Sequence, residues 1–297
     1  MESLLSRFRI EEQSPVALKD FDTSFTGGFT KEKAKVVLSD YKKNLSELQD
    51  RFYAARSHSL LILFQAMDAA GKDSVIKHVM SGVNPQGCQV FSFKQPGPED
   101  LLHDFLWRHN KALPERGRIG IHNRSHYENV LICKVHPEIV LKENLPGLQS
   151  VVKFDGEFWK RRYKSINDFE SHLTANGTVI LKFFLHVSKE EQKNRFLKRI
   201  EDKQKNWKFS EPDIDERGFW DSYMDAYEDA ISNTASPGAP WFIIPADHKW
   251  FTRIAVISII VDTLKKLDIR YPELSPKDTA NLSKYKSRLL NEDQPLK

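Results

Sequence analysis

Apolar residues recur along this chain in two alternating rhythms. From Lys31 to about Arg56, the residues Val37, Leu38, Tyr41, Leu45, Leu48 and Phe52 return at steps of three and four, which predicts a helix with one buried face. SLLILFQ follows, Ser59 to Gln65, a continuous apolar run of strand length. Such a run, leading through a glycine-containing loop into an amphipathic stretch, reads as a buried parallel strand feeding a helix, here Asp73 to Val83. Asn84-Pro85-Gln86-Gly87 spells a turn, and Cys88 to Phe93 a second strand. Glu99 to Ala112 reads as a helix ended near Leu113-Pro114, and Gly117 to Ile121 as a third short strand. A long helix is expected from Val151 to Ala175, closed by Asn176-Gly177. Thr178 to Val187 (TVILKFFLHV) is the most apolar strand of the set. Ser188, with Glu191 three residues on, makes a capping box for a helix running to about Lys203. A helix from Asp213 to Ser232, a strand from Ala239 to Pro245 and a helix from Trp250 to Leu267 complete the pattern.

Strands alternating with helices over nearly the whole length are the signature of an α/β fold, three layers with a parallel sheet and helices on both faces. No repeat and no linker divides the chain. The expected organisation is an irregular N-terminal arm (residues 1–30), one domain (31–270) and a polar C-terminal tail (271–297). No apolar run reaches the roughly 18 residues that span a bilayer. The start, MESLLSRFRIEEQ, is broken by charge and lacks a leader-type apolar core, so a cytoplasmic, membrane-free protein is expected. The 297 residues are 40% hydrophobic and 29% charged, a balance of ordinary globular chains. Cys88 and Cys133 stand in no metal-ligand spacing and read as small buried hydrophobes in a reducing compartment. The net charge of +4, from 45 basic and 41 acidic residues, is too small to argue nucleic-acid binding. What matters is where the basic residues sit.

The strand Ser59–Gln65 runs straight into Ala66-Met67-Asp68-Ala69-Ala70-Gly71-Lys72-Asp73. Against the phosphate-binding pattern G-x-x-x-x-G-K-[ST], Gly71 and Lys72 match, while Ala66 replaces the first glycine and Asp73 the hydroxyl residue. Backbone N–H groups of such a loop and the following helix N-terminus form an anion site, with Lys72 against the bound phosphates. A carboxylate at Asp68 inside that loop would repel phosphate unless a cation lay between. Asp68 and Asp73 therefore read as Mg²⁺ ligands, with Mn²⁺ as the alternative ion. Asp73 alone is equally a first-turn acid favoured by the helix dipole. The third strand leads into His122-Asn123-Arg124-Ser125-His126-Tyr127-Glu128. Kinases of this kind often carry an Asp near the metal at such a strand end. Here Asn123 is neutral, and Glu128 is the compensating carboxylate. Arg124 lies where ligands of open α/β sheets bind and would clamp a phosphoryl group. His126 reads as a packed or capping histidine rather than a base. Farther along, Arg195 and Arg199 share one helix face, with Lys198, Lys205, Trp207 and Lys208 nearby, in the position of a lid. A solvated charged helix is the plain alternative.

Four blocks together resemble the second family of polyphosphate kinases: MDAAGKDSVIKHVMSGVNPQG, FLWRHNKALPERGRIGIHNRSHYENVL, FFLHVSKEEQKNRFLKRIEDKQKNWKFS and APWFIIPADHKWFTR. They occur in the family's order, and the similarity runs from about Asp20 to Leu267. The resemblance implies a P-loop kinase-like fold with a helical lid at about residues 188–215, a Mg²⁺ requirement, and phosphoryl transfer between inorganic polyphosphate and purine nucleotides. It makes Asp68, Ala69, Ala70, Gly71, Lys72 and Asp73 the loop of the site. Asn123 and Arg124 become its second motif, and Arg195 to Lys208 its lid. Many members read Asp-Arg-Ser-Trp-Tyr-Asn where this chain has Asn123 to Glu128. The version here is similar to the branch accepting both nucleoside mono- and diphosphates.

On this reading Asp68, with Asp73 or Glu128 helping, holds the metal, while Lys72, Arg124, Arg195 and Arg199 neutralise the transferred phosphoryl. Lys77 and Arg108, with Lys208, are candidates for the basic path along polyphosphate. No nucleic acid or membrane partner is expected, and a homo-dimer or tetramer is. An ATP-dependent nucleotide or small-molecule kinase is the rival; it would normally keep Ser or Thr at Asp73. A non-enzymatic polyanion-binding protein would not need both the loop lysine and the carboxylates.

Overall fold

The computed structural model describes residues 6–151, 154–204 and 206–292. Its centre is a six-stranded sheet: β1 (Arg9–Ile10), β2 (Ser59–Gln65), β3 (Cys88–Ser92), β4 (Ile119–Asn123), β5 (Thr178–His186) and β6 (Trp241–Pro245), in the order β1-β6-β5-β2-β4-β3. Every neighbouring pair is parallel except β1 with β6. The expectation of an all-parallel sheet is thus corrected at one edge. The N-terminal arm is correspondingly less irregular than its sequence suggested. Arg9 and Ile10 pair with Phe242 and Trp241, and the Phe8 ring packs edge-on against Phe25 and Phe251. A two-residue strand is too short to show any alternation in sequence.

All seven residues of β2 are buried, and β5 is buried from Ile180 to His186. A strand without a polar face requires cover on both sides. The principal helices are α1 (Lys31–Ala55), α2 (Lys72–Val79), α3 (Gly156–Ala175), α4 (Lys189–Glu201), α5 (Trp220–Thr234), α6 (Lys249–Lys266) and α7 (Pro276–Leu290). α6 packs against both α1 and α2, while α3 packs against α5 and β5. These two groups form the outer layers. Each fully buried Leu, Ile or Phe of the strands stabilises the sheet by about 1.5–3 kcal/mol.

Several predicted boundaries move, each for a local reason. The third strand is Ile119–Asn123, two residues later than expected, because Gly117 turns at φ +83° and donates its N–H to the His58 carbonyl. A β-carbon there would lie 2.9 Å from the Tyr53 carbonyl oxygen. The helix expected over Glu99–Ala112 is only a 3₁₀ turn, Asp100–Leu102, and one helical turn, Trp107–Asn110. Asp100 and Asp104 instead accept from the backbone N–H groups of Gly97 and Leu106, competing with the helix. α3 starts at Gly156, where the Asp155 carboxylate accepts from Phe158 N; residues 152 and 153 of the predicted helix lie outside the described residues. The Asp213–Ser232 helix divides into Pro212–Glu216, the 3₁₀ turn Arg217–Phe219 and α5. The Ser188 cap is formed, its hydroxyl accepting from Glu191 N at 3.1 Å, but the reciprocal half of the capping box is not: Ser188 N donates to Asp247 Oδ1 and the Glu191 carboxylate pairs with Arg195. α7 buries no side chain.

Candidate active site

The loop from Ala66 to Gly71 leaves the centre of the sheet at the C-terminal end of β2. Two of its residues are left-handed, Ala69 at φ +59° and Gly71 at φ +111°. Gly71 adopts that conformation without strain and hands the chain to α2. The first N–H groups of α2 have no partner within the helix and present the positive end of its dipole, which suits an anion. The opposite side of the loop is gripped by α4. Gln192 Nε2 donates to the Asp68 carbonyl at 2.9 Å, and Arg195 Nη1 donates to the carbonyls of Ala69 and Ala70. Three successive carbonyls are held from behind, and of the loop N–H groups Ala70 donates to the Met67 carbonyl, so a ligand would be met by the others. Lys72 arches back over the loop, its Nζ 2.7 Å from the Ala66 carbonyl. Burial lowers its pKa from the ordinary ammonium value, against the opposing pull of Asp68.

β4 lies beside β2 in parallel register, Asn123 opposite Phe64, so both strands end level. That register brings the two sequence motifs together. Asn123 Nδ2 donates to Asp73 Oδ1 at 2.7 Å, and Arg124 Nη2 pairs with Asp68 Oδ1 at 3.1 Å. Arg124 takes a left-handed conformation, φ +65°, and its N–H donates to the Phe64 carbonyl. Such backbone in a non-glycine residue is held only where the surroundings enforce it. After it Ser125, His126 and Tyr127 are all buried, in a tight turn that presents Glu128 one residue later. The Gln65 side-chain amide donates to Glu128 Oε1 at 2.8 Å and accepts from Ser125 N. Burial pushes the Glu128 carboxyl above the usual range, while Arg124 and Lys72 pull the other way.

Two cavities meet at this point, of about 110 and 100 Å³. One is lined by Phe93, Lys94, Arg108 and Lys142, the other by Asp68, Gln192, Arg217 and Tyr223; Arg124 and Glu128 wall both. Arg108 thus reaches the rim, its Nη1 bonded to the Lys94 carbonyl at 2.8 Å. Arg199 lies 3.4 Å from Asp213 in the segment after α4. Lys77 is exposed on α2 and lines neither cavity. Lys205 and the side chain of Lys208 lie outside the described residues.

Two expectations change. Arg195 does not sit open in a lid. It is 6% exposed, pairs with Glu191 at 2.7 Å, and donates to the carbonyls of Ala246 and Asp247 besides those of the loop. Its guanidinium joins two loop ends rather than facing ligand. Asp68, Asp73 and Glu128 likewise do not form one three-carboxylate cluster. Among the described residues, no three His, Cys, Asp or Glu side chains lie close enough to hold a metal. Asp68 is taken by Arg124, Asp73 by Asn123 and Glu128 by Gln65. Two accessible carboxylates still fit Mg²⁺ alongside phosphates, since that ion commonly takes one or two protein carboxylates and completes its shell with phosphate oxygens and water.

The sequence patterns did not reveal Gln65, Gln192, Arg217 or Tyr223, because a glutamine closing an apolar strand and single polar residues along a helical segment look like core or surface. His126 is packed, as expected, 1% exposed and 3.3 Å from Glu170. Lys182 did leave a signal: a lysine amid TVILKFFLHV must find a partner if that strand is buried.

The sequence profile of polyphosphate kinase 2 matches residues 28–272. An ADP-polyphosphate phosphotransferase of Rhodopseudomonas palustris is 50% identical over 96% of this chain and 98% of its own. An AMP/ADP-polyphosphate phosphotransferase of Meiothermus ruber is 40% identical over 91% of this chain and 96% of its own. The solved polyphosphate kinase 2 of Arthrobacter aurescens superposes with a TM-score of 0.83 at 38% identity, covering 94% of this chain and 95% of that one. Among the described residues, no helix is long and apolar enough to cross a membrane. With the phosphate-loop geometry, the parallel sheet and these matches in agreement, the chain belongs to the polyphosphate kinase 2 family.

Proposed function

We propose that this protein transfers phosphoryl groups between inorganic polyphosphate and purine nucleotides, converting AMP and ADP, or GMP and GDP, to the next higher phosphate. The observation that carries this reading is the pair of cavities sharing one wall, Arg124 with Glu128, directly in front of the Lys72 loop. Transfer between two polyanions needs such a meeting point, where charge is neutralised and the reacting oxygens are held in line. Lys72 and Arg124 supply the neutralising charge, and the loop N–H groups orient the phosphates. The acceptor's terminal phosphate oxygen is itself the nucleophile and is largely ionised at neutral pH, so no side chain need remove a proton. Mg²⁺, with Mn²⁺ as an alternative, would be held by Asp68 and Asp73 and would supply neutralisation of phosphate charge. Arg124 and Asn123, which lie beside those carboxylates, would orient phosphate oxygens at the same sheet edge. Asp213 and Arg199 belong to the segment proposed to close as a lid, and Arg108 to the polyphosphate path. Self-association into a dimer or tetramer is part of the proposal, and a monomer in sedimentation would remove it. The name of the Meiothermus relative supports both mono- and diphosphate acceptors, and that of the Rhodopseudomonas relative the diphosphate.

The test is direct. Purified protein with Mg²⁺, polyphosphate and AMP or ADP, without ATP, is expected to yield ADP or ATP. Phosphorylation of AMP only when ATP is supplied would instead make the protein an ATP-dependent kinase.

A further inference from the structure

A charged pair lies wholly inside the protein, next to the site but outside both cavities. Lys182, on β5, is 0% exposed, and Glu170, on α3, is 2% exposed. Such a pair is no inexpensive source of stability, since removing two charges from water costs about as much as their attraction returns. Its contacts converge on one segment. Lys182 Nζ reaches Glu170 Oε2 at 2.6 Å, the Thr234 carbonyl at 2.7 Å and the Tyr127 hydroxyl at 3.0 Å, using all three ammonium protons. Glu170 Oε1 in turn accepts from Tyr127 at 2.8 Å and lies 3.3 Å from His126 Nε2. Burial alone would favour the neutral acid, but Lys182 and His126 outweigh it and hold the Glu170 carboxyl below its ordinary range.

His126 and Tyr127 are two of the three residues between Arg124 and Glu128. On the near side of the same turn, Ser125 is fully buried and bonded to Gln65, which also holds Glu128. The turn is therefore fastened from beneath by the charged pair and from the side by Gln65. Only Arg124 and Glu128 emerge from it, and Arg124 does so in a left-handed conformation that needs enforcement.

We infer that Glu170, Lys182 and Tyr127 form a positioning network whose work is to hold the Arg124–Glu128 turn in register with the Lys72 loop. This rests on the phosphotransfer reading above. None of the three touches either cavity, so they act only through the turn. A displacement of about 1 Å in a reacting group costs on the order of a hundredfold in rate. The structure thus predicts a catalytic defect separable from any defect in folding.

The experiment compares wild type, Tyr127→Phe and the double variant Lys182→Met with Glu170→Gln. The double variant leaves no uncompensated charge, and buried pairs replaced together are often tolerated in stability. Tyr127→Phe deletes one hydroxyl and keeps the ring. Melting temperature is measured beside kcat and KM for nucleotide with polyphosphate as donor. The expected result is a double variant that melts near wild type, with kcat lower by roughly tenfold to a hundredfold and KM within about twofold. Tyr127→Phe should show the same split to a smaller degree. Wild-type kcat in either folded variant would overturn the network, and so would a loss confined to melting temperature. Should the double variant fail to fold, Tyr127→Phe decides on the same two readouts. Inactivity of wild type itself with polyphosphate would overturn the functional reading instead, which keeps the two failures apart.

Discussion

Replacing Glu128 by Gln should make the protein slower and, at neutral pH, more stable. The amide keeps the shape, and its oxygen still accepts from Gln65, so the change isolates the charge. That charge faces Arg124 and Lys72 across the wall shared by the two cavities. Without it Arg124, already paired with Asp68 at 3.1 Å, loses the second carboxylate that helps to orient it. Losing that facing charge is expected to lower turnover at least about tenfold, a barrier change of about 1.4 kcal/mol. Stability moves the other way. The folded Glu128 carboxyl holds its proton more tightly than the unfolded one, whose pKa sits near 4.5, mainly because of burial. Between those two values the native state binds more protons than the unfolded state, so stability falls as pH rises through that window. Above it the ionised, desolvated carboxylate is a standing cost that the amide removes. The melting temperature of Glu128→Gln should therefore exceed that of wild type at neutral pH, and the gap should narrow as pH drops to about 4. Turnover is read as ADP or ATP formed from polyphosphate, stability as thermal unfolding across pH. Near-normal turnover would reduce Glu128 to a structural residue, and a melting-temperature gap independent of pH would refute the account of its burial.

Three further outcomes follow from the same geometry. Asp68→Asn should lower turnover at least about tenfold and raise the Mg²⁺ concentration needed for half-maximal rate; an unchanged Mg²⁺ titration would remove Asp68 from the metal. Asn123→Asp sets a second carboxylate where an amide now donates to Asp73 at 2.7 Å, so the variant should melt lower in EDTA and recover with added Mg²⁺. No recovery with Mg²⁺ would argue against metal between these positions. Arg195→Met strips donors from four loop carbonyls and should destabilise by about 3 kcal/mol or more, with turnover lost in parallel; a folded variant with wild-type stability would return Arg195 to the ligand side.

Much of this protein was written in its periodicities. β2 is found over the very span of SLLILFQ, because seven buried residues admit no polar face, and a Gly-Lys pair six residues on marks where the next helix begins. The Ser188 cap and the helix it opens were legible because capping is a matter of four neighbouring residues. The loop, its lysine and its two carboxylates were visible for the same reason: their chemistry lies within eight consecutive positions. What tertiary structure alone decided is which distant groups face one another. The level ends of β2 and β4 put Asn123 against Asp73 and Arg124 against Asp68, pairings some fifty residues apart that no local pattern encodes. Arg195 looked like a lid arginine because helical spacing says only which residues share a face, not whether that face meets solvent or the back of a loop. The Glu170–Lys182 pair shows the same limit from the other side. A lysine in a buried strand announces that it has a partner, but only the packing of α3 on β5 says that the partner lies beneath the Arg124–Glu128 turn.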